Sequence, residues 1–94
     1  LSKSKGDYRE RKARDEAYEK GATLVVRSAG SHGPFDLVAF YPDRVTLIQV
    51  KSSKYELSKA MKLTLSNLDI PDHIGMELWL YRLRKPFLVE VIRE

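Results

Sequence analysis

Three polar residues stand out in apolar surroundings: Asp36, Gln49 and Lys51. Asp36 interrupts the run Phe35-Asp36-Leu37-Val38-Ala39-Phe40, and Gln49 and Lys51 close Val45-Thr46-Leu47-Ile48-Gln49-Val50-Lys51. A carboxylate in an apolar strand must be paired, bound to a metal, or set at a strand end facing solvent. Gln49 and Lys51 are next-but-one neighbours, so in a strand both project to one face, about 7 Å apart. Pro42-Asp43 reads as a tight turn between the two segments, which makes them an antiparallel hairpin. With Tyr41 facing Arg44 across that turn, Asp36 falls opposite Gln49. A carboxylate, an amide oxygen and an ammonium then meet on one face of one strand pair. Such a cluster can hold a hard divalent cation through oxygen ligands and keep a lysine beside an attacking water. The alternative is a buried Asp36–Lys51 ion pair. A slip of one residue in the turn would also move the set to the opposite face.

These residues need elements to hold them. Residues 1–5 read as frayed, Asp7 as an N-cap, and residues 8–20 as a helix stopped at Gly21. Glu10, Ala13, Ala17 and Gly21 follow a helical stripe, so Glu10 joins the face that meets the sheet. It is a third acidic candidate, unless it serves only as a partner of the helix dipole. Thr23 to Val26 reads as a buried strand, and Arg27 to Pro34 as a polar, glycine-containing loop. The hairpin strands are Phe35 to Tyr41 and Arg44 to Lys51, apolar on both faces as in a sheet covered by helices. Ser53 and Glu56 resemble a capping box, and Leu57, Ala60, Met61, Thr64, Leu65 and Leu68 form the stripe of a second helix that Pro71 ends. Met76 to Leu83 and Phe87 to Ile92 are the last two strands. The order α-β-β-β-α-β-β is an α/β layer arrangement in one domain spanning 1–94.

The chain has 94 residues and no cysteine, which excludes disulfides and cysteine-based zinc sites. A domain this short buries roughly 60–65% of the surface its unfolded form exposes, enough for one core. No apolar run approaches the roughly 20 residues of a membrane span, and no signal-peptide pattern opens the chain. No membrane role and a cytoplasmic location are the expectations. The formal net charge is +4, which suits a polyanionic partner without demonstrating one. Arg9, Arg11, Lys12 and Arg14 give the first helix a basic side, Lys51, Lys54, Lys59 and Lys62 flank the candidate site, and Arg82, Arg84 and Lys85 form a third cluster. Such rows follow a phosphate backbone, or are ordinary solvated surface.

The ordered motifs resemble a known family. Gly6-Asp7-Tyr8-Arg9-Glu10-Arg11 is similar to the Gly-x-x-x-Glu-Arg opening of the archaeal-type Holliday-junction resolvases, and Arg27-Ser28-Ala29-Gly30-Ser31 to their Arg-x-x-Gly-Ser loop. Pro34-Phe35-Asp36 followed by Gln49-Val50-Lys51 resembles the bipartite signature of the wider PD-(D/E)XK nuclease superfamily. The likeness covers residues 6–54. It implies a restriction-endonuclease-like fold, with a central mixed five-stranded sheet flanked by helices. It also implies an Mg²⁺-dependent endonuclease (with Mn²⁺ able to substitute) that acts on four-way DNA junctions as a homodimer. Carried over, Asp36, Gln49 and Glu10 are metal ligands, Glu10 directly or through water. Lys51 orients or activates the water, and Ser31 matches a loop serine needed for cleavage. Arg27 contacts a phosphate, with Arg9, Arg11, Lys54, Ser28 and His32 as further DNA-facing candidates.

Two positions depart from the family pattern. The second carboxylate is Gln49, which offers an oxygen but no negative charge, and the residue before Asp36 is Phe35 instead of proline. Gln49 weakens the expected Mg²⁺ binding and leaves Asp36 and Glu10 more of the charge balance. His32 could assist a proton transfer or touch phosphate, or be a plain loop histidine. His73 reads as a turn residue, and no spacing supports a serine triad at Ser31. Trp79 and Tyr81 share a face, either for core packing or for a dimer interface. The other readings kept open are a general or repair nuclease of the same fold, a DNA-binding module that has lost cleavage through Gln49, and a structural dimerisation domain.

Overall fold

The computed structural model describes residues 5–27, 35–56, 58–67 and 69–93, with the backbone alone at 5–7, 61 and 66. Its elements follow the expected order: α1 (Lys5–Glu19), β1 (Leu24–Arg27), β2 (Leu37–Tyr41), β3 (Arg44–Ser52), α2 (Lys59–Ser66), β4 (Ile74–Arg82) and β5 (Lys85–Arg93). The five strands form one sheet in the order β1-β2-β3-β4-β5. Three neighbouring pairs are antiparallel, while β3 and β4 run parallel because α2 carries the chain back between them.

Helix α1 starts at Lys5, so Asp7 lies within the helix and is not its N-cap. Its end is as expected. Gly21 takes φ +109°, its N–H donates to the Tyr18 carbonyl, and the Ala22 N–H donates to the Ala17 carbonyl. This double bond pattern with a glycine in positive φ is a Schellman stop. Ala13 and Ala17 are fully buried, and their small side chains let α1 lie close on one sheet face. There they join Leu37, Ala39, Ile48, Val50, Trp79 and Phe87 in the main core.

The other face is less completely covered. Leu65 of α2 packs with Met76, Leu78, Leu80 and Ile92, beside Phe35, Tyr55 and Ile70. Ala60 and Thr64, expected on the buried stripe, are exposed. An eight-residue helix is too short to present the longer stripe read from the sequence. The expected capping box fails too. Ser53 sits in the turn after β3, and the helix starts at Lys59, with the Ser58 carbonyl accepting the Lys62 N–H. The helix ends at Ser66, well before Pro71, with the Asn67 N–H shared between the Leu63 and Thr64 carbonyls. Leu57 and Leu68 lie outside the described residues, as does the Met61 side chain.

Two strand readings change as well. β1 is not buried: it is an edge strand in which Leu24 and Val26 remain 50% and 44% exposed while Val25 points into the core. β2 alternates between fully and partly buried positions, so its two faces are not equally covered. Trp79 is 1% exposed and meets Phe87 at 5.6 Å, edge to face, which makes it a core residue, whereas Tyr81 on the same face is partly exposed. No helix among the described residues is long and apolar enough to cross a membrane.

Candidate active site

The hairpin register sets the site. Tyr41 lies opposite Arg44 and Leu37 opposite Ile48, as the tight turn at Pro42-Asp43 requires. The regular strand begins at Leu37, so Asp36 stands at its mouth and not within it. Asp36 nevertheless closes the ladder. Its N–H donates to the Ile48 carbonyl at 2.8 Å, and its Oδ2 accepts the Val50 N–H at 2.8 Å. A side-chain oxygen thus replaces a backbone carbonyl in the last rung, and Asp36 brackets Gln49 from the neighbouring strand.

Gln49 is 8% exposed, and its Oε1 is buried with no hydrogen-bond partner among the described residues. An orphaned buried acceptor costs about 1–3 kcal/mol, and native structures rarely leave one unsatisfied. Lys51 lies two residues further on the same face, half-buried, with its Nζ 5.3 Å from the centre of the Tyr55 ring. No ion pair joins Lys51 to Asp36 among the described residues, so the buried Asp–Lys pair is not formed. Tyr55 was not legible as a site neighbour. It follows a turn, where its N–H donates to the Ser52 carbonyl, and a turn carries no periodic signal.

Glu10 sits differently from the others. Its Oε1 is 3.0 Å from an Arg27 guanidinium nitrogen, and both side chains are partly buried. Arg27 pairs with Leu37, which places this ion pair on the α1 face, whereas Gln49 and Lys51 belong to the face that carries Leu78 and Leu80. Among the described residues no three His, Cys, Asp or Glu side chains gather as a metal-ligating group. The oxygens nearest such a role are the Asp36 carboxylate and the orphaned Gln49 Oε1. An all-oxygen set with one carboxylate fits Mg²⁺, which keeps several waters and takes few protein ligands.

The remaining candidates spread around this end of the sheet. Lys54 is exposed in the turn after β3, Arg11 is exposed on α1, and Arg9 is half-buried with its Nε unpartnered among the described residues. Ser28, Ser31 and His32 fall outside the described residues. The end of β1, the start of β2 and the end of β3 meet here, and the parallel pairing puts the end of β4 alongside, with Ser52 facing Tyr81.

Comparison with solved structures finds a likeness to a resolvase. Hjc, a Holliday junction resolvase from the archaeal hyperthermophile Archaeoglobus fulgidus, matches with a TM-score of 0.73 at 25% sequence identity, covering 95% of this chain and 74% of that one. The two chains share one fold. The mixed five-stranded sheet flanked by helices is therefore the restriction-endonuclease-like arrangement that the motifs implied. No protein-family profile matches the chain. No curated protein matches it either.

Proposed function

We propose that this chain is a metal-dependent endonuclease that cleaves four-way DNA junctions by phosphodiester hydrolysis. The observation that carries this reading is the likeness to a Holliday junction resolvase along 95% of the chain. Asp36, Gln49 and Lys51 support it, since they fall at the positions where the family resemblance expects ligands and a lysine. Asp36 and Gln49 would hold Mg²⁺, with Mn²⁺ able to replace it. The bound cation supplies the Lewis acid that polarises the scissile phosphate. Lys51 orients the attacking water and meets the charge that grows on the phosphate, and the Tyr55 ring limits where its ammonium can sit. Glu10 would join the site when its pair with Arg27 opens, and Arg27 would contact a phosphate. A junction has two equivalent strands to cut, so two copies of the chain form the working unit.

The test is a labelled four-way junction and a linear duplex of equal length, each incubated with and without Mg²⁺. Nicking of the junction alone, dependent on the metal, is the expected outcome. Equal cutting of both substrates would identify a general nuclease. Asp36→Ala should abolish cutting and leave junction binding largely intact; equal loss of binding would refute the metal assignment. Gln49 favours one second reading. With no charge at that position, a chain that binds junctions tightly but never cuts, even in Mn²⁺, would be a binding module.

A further inference from the structure

A groove of about 690 Å³ lies between α1 and the β4–β5 turn, away from Asp36 and Gln49. One wall is aromatic: the Tyr8 ring stands 6.0 Å from Tyr81, edge to face, and Tyr81 stands 5.6 Å from Phe87. Tyr8 is 46% exposed, so this row of packed rings ends in one that solvent can reach. The rim nearest the end of β4 is basic, lined by Lys12, Arg82, Arg84 and Lys85. Arg82 Nε donates to the Pro86 carbonyl at 2.9 Å, which braces the turn. Arg84 holds φ 59°, a left-handed conformation that a residue with a Cβ adopts only at a cost. Among the described residues no carboxylate lies within ion-pair distance of Arg84 or Lys85.

The opposite end of the groove is acidic, with Asp15, Glu16 and Glu19. Two of these are already engaged: Glu16 accepts the Phe87 N–H and lies 3.6 Å from Lys20, and Asp15 lies 3.3 Å from Arg14. The uncompensated positive charge is therefore confined to one end. That end lies at the same end of the sheet as the candidate site, with Tyr81 opposite Ser52, but on the α1 face, across the sheet from Gln49 and Lys51.

We propose that this groove binds a nucleic-acid strand, with one base stacking on Tyr8 as the Lys12 ammonium, 5.4 Å from the centre of that ring, swings out to a phosphate, and with further phosphates at Arg84 and Lys85. An exposed ring beside a cationic track is the arrangement that holds unpaired strands with little regard to sequence. The proposal rests on the nucleic-acid reading above and adds to it a contact that the cleavage residues do not make.

Fluorescence anisotropy of the full chain with a labelled thymidine oligonucleotide, and with a labelled four-way junction, tests it. Tyr8→Ala should weaken single-strand binding about tenfold, while Tyr8→Phe keeps it, since the ring and not the hydroxyl does the stacking. Arg84→Glu with Lys85→Glu should flatten the dependence of log K on log salt by about 0.7 for each phosphate that is no longer neutralised. Arg44→Ala, at the opposite end of the sheet, should change neither measurement. Thermal melts of each variant separate weakened binding from a damaged fold. Wild-type binding by folded Tyr8→Ala and Arg84→Glu/Lys85→Glu chains, or an equal loss in Arg44→Ala, overturns the proposal. If those folded variants behave as wild type while the wild type binds and cuts junctions, only the groove assignment falls. A wild type that binds neither DNA overturns both.

Discussion

Asp36 does two jobs that substitution can separate. Its Oδ2 completes the ladder at Val50, and its charge is the carboxylate proposed to hold a cation with Gln49. Asp36→Asn keeps an acceptor for the Val50 N–H, so its melting temperature should stay near that of the wild type while cutting is lost. Asp36→Ala strands that N–H and should cost about 1–3 kcal/mol in a denaturant titration. Gln49→Glu restores the charge that the family pattern carries and should retain or raise cutting at low Mg²⁺. A fall in rate there would mean that the neutral amide has a function of its own. The hairpin part of the site was readable in the sequence because strand alternation and a two-residue turn fix which side chains face each other. The Glu10–Arg27 pair was not, since it joins a helix to an edge strand and no local period links them.

Helix α1 shows how far local pattern reaches at the level of elements. Its alanine stripe and glycine stop were legible, because close packing needs small residues and a Schellman turn needs positive φ. Its first turn was not, since a good N-cap residue at position 7 did not prevent the helix from beginning at Lys5. A Cβ added at Gly21 would meet nothing within 4 Å, so the cost of Gly21→Ala is purely conformational. It should lower stability by on the order of 1–2 kcal/mol, seen in a chemical melt, without altering DNA binding. Helix α2 was the least legible element. Its apolar residues extend beyond the helix at both ends, and tertiary packing selects only Leu65 as its described buried anchor. The helical period in the sequence reported apolar spacing, and the chain satisfied it with a short helix and irregular flanks.

At the scale of the whole molecule, one end of the sheet gathers the candidate ligands, the lysine and the basic turn, while the opposite end holds, among the described residues, the β2–β3 turn, the loops that enter β1 and β4, and the end of β5. Light scattering of the purified chain should give about twice the 10.8 kDa monomer mass, as the proposed two-fold substrate demands. A monomer that still nicks both junction strands in one binding event would contradict the paired-site reading. The rung that Asp36 supplies has one further consequence. Whatever binds the Asp36 carboxylate draws electron density from the oxygen that the Val50 amide proton touches, so occupancy of the site is written onto a backbone amide. The Val50 amide resonance, followed by nuclear magnetic resonance during a cation titration, becomes a built-in gauge of binding that needs no substrate and no cleavage.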